Sequence, residues 1–221
     1  MRTHVVGIDA GTRNLGFAIC SFVGSGELPE RASTHSVCVL KSFDLREYGM
    51  EAVPMPSLLS VGTATRVFFR EVILPSVQDA LTRGDRVCIV LEKLVANVNA
   101  GRPGHVHKII RECAVELNID LVQVQILSIA RRALSSIQGR RPRKNAAMGA
   151  TAEVLQLIGR LDLLDDFQSM PKSGIGKCDD PADAFLLCLF ADLPGRSRPA
   201  YSGRIFKAIA RSRLYDDARF M

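Results

Sequence analysis

The chain has 221 residues, 47% of them hydrophobic, with a formal net charge of +6 and a pI of about 9.2. That length and composition fit one folded domain with a sizeable core and exclude a disordered chain. No run of roughly 18 apolar residues is present, and the start "MRTHVVGIDAG" lacks the apolar stretch of a leader, so no membrane span or signal peptide is expected.

In chain order, "HVVGIDAG" reads as a buried strand ending at Asp9, "TRN" as a turn, and "LGFAICSF" as a second strand. A loop over 24–32 leads to a third strand in "HSVCVLKSFDL", which completes an antiparallel meander. Residues 50–60, with Pro54 and Pro56, read as irregular. Apolar residues then recur at helical spacing from about Ser60 to Leu81, with Pro75 a point of kinking or division. Next come a short strand, "RVCIVLEKL", with Glu92 at its end, and a loop, "VANVNAGRPG". They are followed by an amphipathic helix, "HVHKIIRECAVELN", and another strand, "DLVQVQIL". A short helix is expected over Ile129–Ile137, then a basic loop, "GRRPRK", and a helix from about Ala146 to Leu161. An acidic turn, the "KSGIGK" loop and a helix starting at Asp180 close the pattern. Strand–helix–strand units after an antiparallel start imply a mixed α/β sheet flanked by helices.

Six dispersed cysteines, with no CxxC and mostly apolar neighbours, read as reduced core thiols, which points to an intracellular, reducing setting. The positive charge is clustered. One group is Arg131, Arg132, Arg140, Arg141, Arg143 and Lys144. Another runs through the tail, from Arg196 and Arg198 to Arg213 and Arg219. Acidic residues gather between Asp162 and Asp183. A basic protein with a local acidic focus suits phosphate-backbone binding around a cation site.

The acids carry the chemistry. In "KCDDPADAFLLCLF", Asp180 suits an N-cap, Pro181 the first helical position and Asp183 a capping-box acid. Capping therefore explains every acid there except Asp179. Yet Asp180 and Asp183 lie three apart on one helix and share a face, so they can also grip a divalent cation. Asp9 reads either as a turn-former or as a ligand at a strand end. Glu92, ending an apolar strand, is either exposed at an edge or held by a partner, since an unpaired buried carboxylate is costly. If the two strands are neighbours, a helix crossing their carboxyl ends brings all four acids together. Oxygen ligands without a His/Cys set indicate Mg²⁺ or Mn²⁺, and a pair of such ions suits phosphoryl transfer.

Other features read as structural. His105 and His107 alternate at a helix start and are expected at the surface, and Phe68–Phe69 is expected to be core with partial exposure. "SGIGK" lacks phosphate-loop spacing, and Ser135–Ser136 has no activating partner nearby.

"VVGIDAGTRNLGFAI", "VLEKL" and "DDPADAFLLCL", in that order, resemble the ribonuclease-H-like Holliday-junction resolvases of the RuvC type, and most of all those of poxviruses and other large DNA viruses. The resemblance covers roughly residues 4 to 192. It implies a nuclease domain over 1–192 with a basic extension over 193–221, and a ribonuclease-H-like sheet with three antiparallel strands and then parallel ones. It further implies an endodeoxyribonuclease that acts as a homodimer on four-way DNA junctions, with two Mg²⁺ or Mn²⁺ ions per site. Asp9, Glu92, Asp180 and Asp183 would be catalytic metal ligands, with Asp179 assisting. Arg140, Arg141, Arg143, Lys144 and Lys177 would contact DNA phosphates. "LVANVNAGRPG" is less basic than the matching viral loop, and the segment from Gly24 to Pro56 has no counterpart in the resemblance. Three other readings share part of this pattern. One is a different ribonuclease-H-like nuclease, either RNA-processing of the YqgF kind or transposase-like. Another is a nucleic-acid binder without catalysis. "GIDAGTRNLG" also resembles the first phosphate loop of the actin and sugar-kinase superfamily, but 221 residues are too few for its two domains.

Overall fold

The computed structural model describes residues 2–11, 13–23, 36–94, 101–124, 140–171 and 179–190. Strands β1 (Arg2–Ala10), β2 (Asn14–Val23) and β3 (Ser36–Asp44) form the expected antiparallel meander. Strands β4 (Arg86–Glu92) and β5 (Asp120–Val124) extend the sheet in parallel from β1, in the order β3-β2-β1-β4-β5. This is a ribonuclease-H-like mixed sheet. Its central strand has to be apolar on both faces, and Val5, Val6 and Ile8 of β1 are fully buried.

Alternation along the strands divides the core in two. Val6, Ile8, Phe17 and Ile89 face helices α1 (Leu58–Phe68), α2 (Leu74–Thr82) and α3 (Arg102–Glu116). Val5, Ala18, Cys88 and Val90 face α4 (Arg140–Leu157), α5 (Leu161–Ser169) and α6 (Asp179–Phe190). The protein is thus a three-layer α/β/α sandwich. Phe68 and Phe69 are both buried, without the partial exposure expected of the pair, and Cys20, Cys88, Cys113 and Cys188 are buried free thiols. No helix among the described residues is long and apolar enough to cross a membrane.

The helix expected over Ser60–Leu81 is present and is divided into α1 and α2 just before Pro75, as expected, while three other expectations are corrected. Proline offers no N–H, and the turn before it widens to a π-turn, Phe69–Ile73, in which the Leu74 amide reaches back to the Phe69 carbonyl. Arg140–Lys144 of the expected basic loop open α4, because Pro142 is its third residue and first-turn amides have no intrahelical acceptor to lose. That helix ends at Leu157, where Gly159 takes a φ of +72° and the Arg160 amide bonds to the Leu155 carbonyl at 2.9 Å. The acidic turn is α5, whose Phe167 is buried while Leu163 and Leu164 pack on the core. Finally, α6 begins at Asp179, so Asp180 lies inside the first turn and is not the cap. Residues 24–35 and 95–100, the short helix expected over 129–137, the expected "KSGIGK" loop with Lys177, and the tail lie outside the described residues.

Candidate metal centre

Asp9 and Glu92 reach one place through strand register. Ile8 pairs with Leu91 across the parallel β1–β4 ladder, so the residues that follow, Asp9 and Glu92, end neighbouring strands side by side. Parity sets their direction. Asp9 lies two and four residues beyond Gly7 and Val5, and Glu92 two and four beyond Val90 and Cys88. Val5, Val90 and Cys88 all face α6, and so therefore do both acids.

The helix is seated by glycine. Asp9 pairs antiparallel with Gly16 of β2. A Cβ on Gly16 would stand 1.9 Å from the Asp180 carbonyl oxygen and 2.3 Å from its carbon. One on Gly7 would stand 2.0 Å from the Ala184 carbonyl oxygen and 2.8 Å from Cys188 Sγ. The first turn of α6 therefore lies directly on β2 beside Asp9, and its second turn lies on β1. The Cys188 thiol closes the contact, donating toward the carbonyls of Val5 at 3.4 Å and Ala18 at 3.5 Å. α6 consequently runs antiparallel to β1, with its electropositive N-terminus at the acidic end of the sheet. Sequence reading missed Gly7 and Gly16 as site-forming residues. The available signal was a lone glycine inside each strand pattern, which often marks close approach of another backbone.

Burial differs among the acids. Asp180 is 6% exposed, with Oδ2 shut off from solvent, while Asp9, Asp183 and Glu92 are half-buried. Burial pushes the Glu92 carboxyl above its ordinary range, because the charged form loses hydration. Asp179 opens α6, and Arg140, Arg141, Arg143 and Lys144 occupy the first turns of α4; the side chains of these five lie outside the described set.

Among the described residues no three His, Cys, Asp or Glu side chains stand together as a ready-made metal cage. The fold brings Asp9, Glu92 and the first turn of α6 to one end of one face. Such a donor set fits Mg²⁺, which keeps several waters and takes only one or two carboxylates, better than a cation needing a closed protein cage. Gly11, by contrast, serves the hairpin turn: its amide donates to the Asn14 carbonyl at 3.1 Å, and a Cβ there would meet that oxygen at 2.6 Å.

The expectation for His107 is overturned. It is 4% exposed, neither ring nitrogen has a hydrogen-bond partner among the described residues, and burial aided by the Arg111 charge lowers its pKa to about 4. Its place on α3 between Val106 and Ile110, both fully buried, explains why a polar ring lies inside. His105 is half-buried, its Nε2 standing where a Cβ on Gly62 would come within 2.7 Å.

No family model matches the chain, and no curated protein does. Solved structures do match. Thermus thermophilus RuvC in complex with Holliday junction substrate is 12% identical over 84% of this chain and 90% of its own, with a TM-score of 0.48. Fowlpox virus resolvase with substrate Holliday junction DNA is 15% identical over 84% of this chain and 94% of its own, with a TM-score of 0.46. An Aquifex aeolicus member of the Ppx/GppA family is 12% identical over 60% of this chain and 38% of its own, with a TM-score of 0.34. These likenesses concern the path of the chain alone.

Proposed function

We propose that the chain is a divalent-metal-dependent endonuclease that cuts four-way DNA junctions. The observation that carries this reading is the meeting of Asp9, Glu92 and the first turn of α6 at one end of one sheet face. Asp9, Glu92, Asp180 and Asp183 are assigned as ligands of Mg²⁺ or Mn²⁺, with Asp179 as an accessory acid. These carboxylates would hold the ions, whose chemistry would be to activate a water and to offset charge on the leaving oxygen of a phosphodiester. The chain's own contribution is placement. Strand register, which sets Asp9 beside Glu92, and the seat on Gly16, which sets the first turn of α6 on β2 beside Asp9, support this assignment. Arg140, Arg141, Arg143 and Lys144 lie along the start of α4, the neighbour of α6, and Lys177 precedes α6; these are assigned to DNA phosphates. A homodimer would pair two such sites with the two-fold symmetry of a four-way junction.

The same acids would serve another ribonuclease-H-like nuclease, so substrate preference decides between the readings. With Mg²⁺ or Mn²⁺ the protein should cut a synthetic four-way junction and leave linear duplex and RNA–DNA hybrid largely intact. Asp9→Asn should abolish cutting while preserving junction binding. Equal cutting of all three substrates would remove the junction assignment, and unimpaired cutting by Asp9→Asn would remove the metal site.

A further inference from the structure

The described structure holds a second charged cluster that the proposed chemistry does not use. Asp44 ends β3 directly opposite Asn14 of β2, two positions along that ladder from Gly16. Directly paired residues share a face and alternate residues return to it, so Asp44 lies on the face that carries Gly16 and Asp9. Its side chain is only 3% exposed and is surrounded by donors. Arg13 donates to Oδ2 from Nε at 3.0 Å and from Nη2 at 2.9 Å. Arg46 donates to Oδ2 from Nε at 3.0 Å and from Nη2 at 2.8 Å, and its amide donates to Oδ1 at 3.0 Å.

Capping the 3₁₀ turn Leu45–Tyr48 accounts for Asp44 and for the Arg46 amide bond. It does not account for two guanidinium groups on one carboxylate. Their side chains are 38% and 34% exposed, and among the described residues neither has another partner. One negative charge offsets one of the two positive ones, so the cluster carries a net charge of +1. Each guanidinium binds Asp44 through its Nε/Nη2 edge, which leaves the Nη1 donors on the opposite edge uncommitted. Two rigid forks held side by side, with one unbalanced charge and outward donors, match a tetrahedral oxyanion such as a phosphodiester.

Position ties this patch to the acids. Two residues along a strand and two strands across place Asp44 roughly 12 Å from Asp9, at strand rises of about 3.4 Å and spacings of about 4.8 Å. A nucleic-acid strand with its reactive phosphate at Asp9 would carry a nearby phosphate over the arginine pair. We propose that Arg13 and Arg46, preset by buried Asp44, form a phosphodiester clamp beside the acidic site. The location of the clamped strand rests on the nuclease reading; the anion site itself does not.

The test is binding of a fluorescent four-way DNA junction without divalent metal, across a salt series. Removing either arginine leaves the cluster neutral and should lose one phosphate. Arg13→Gln and Arg46→Gln should therefore each lower the slope of log affinity against log salt by about 0.9, weakening binding roughly eightfold at 0.1 M salt. Arg46→Lys, which keeps the charge, should retain the wild-type slope. Glutamine variants that melt like the wild type and keep its slope would overturn the clamp. Should either glutamine variant fail to fold, phenylglyoxal labelling of the wild type reads the same point. Junction DNA should protect Arg13 and Arg46, and labelling undiminished by DNA would overturn the proposal. A wild type that cuts no DNA yet shows the slope loss would sink the nuclease reading and leave the clamp standing.

Discussion

Gly16→Ala tests the seat of the acidic helix most directly. The new Cβ would stand 1.9 Å from the Asp180 carbonyl oxygen, and that oxygen belongs to backbone, which cannot rotate aside. Ordinary carbon–oxygen contact lies near 3.5 Å, so the first turn of α6 must lift by about 1.5 Å. The same helix buries Phe185, Leu187, Cys188 and Leu189, and lifting one end strains that packing. Overpacking of this kind costs about 1–3 kcal/mol, which for a domain of this size lowers Tm by roughly 2–12 °C. The effect on cutting should be larger than the effect on stability. Metal–oxygen distances near 2.1 Å leave little tolerance, and misplacing a reacting group by about 1 Å can cost roughly 100-fold in rate. The assay is single-turnover cutting of a four-way junction across a Mg²⁺ titration, beside thermal melts in metal-free buffer. The variant should melt lower, require more Mg²⁺ and cut at least about 100-fold more slowly, with junction binding kept. Wild-type melting together with wild-type cutting would show that the glycine does not set the helix height.

Three further outcomes follow from the same structure. His107 takes up its proton near pH 4 in the folded state but near 6.5 when unfolded, so stability is fully present above about pH 6.5 and falls as pH drops toward 4. The loss is on the order of 3 kcal/mol, and His107→Leu should flatten that limb in urea denaturation at pH 7.5 against 4.5; parallel wild-type and variant curves would refute it. Glu92 has a raised folded pKa, so burying its charged form weakens the metal-free fold once pH exceeds the unfolded value. Glu92→Gln should therefore raise the metal-free melting temperature at pH 7.5, lose that advantage in acid and abolish cutting; a lowered melting temperature at pH 7.5 would contradict the burial assignment. Arg141→Gln and Lys144→Gln should each weaken junction binding and lower its salt slope by about 0.9 without changing metal dependence, and an unchanged slope would remove α4 from the DNA surface.

Much of this architecture was readable in one dimension because its signals are local. Apolar runs ended by acids or turn residues located the five strands, and helical periodicity located α3 and the long helix through Pro75. What failed was also local. Proline and glycine around Arg140–Lys144 imitate a loop, but proline is free in a first helical turn. The acidic residues after Leu161 imitate a turn, yet Phe167 and its leucines find a core to cover. His107 looks like a surface residue until its neighbours on α3 turn out to be buried.

The residues alone determined that Asp9 and Glu92 end strands, that Asp180 and Asp183 share a helical face, and that no His/Cys set competes with them. These are consequences of spacing and side-chain chemistry. Tertiary structure decided that the two strands are neighbours in register and that α6 rests on Gly7 and Gly16 with its first turn beside Asp9. It also placed Arg13 and Arg46 on one buried aspartate. Register and close approach depend on which backbone lies opposite, and a linear spacing does not contain that.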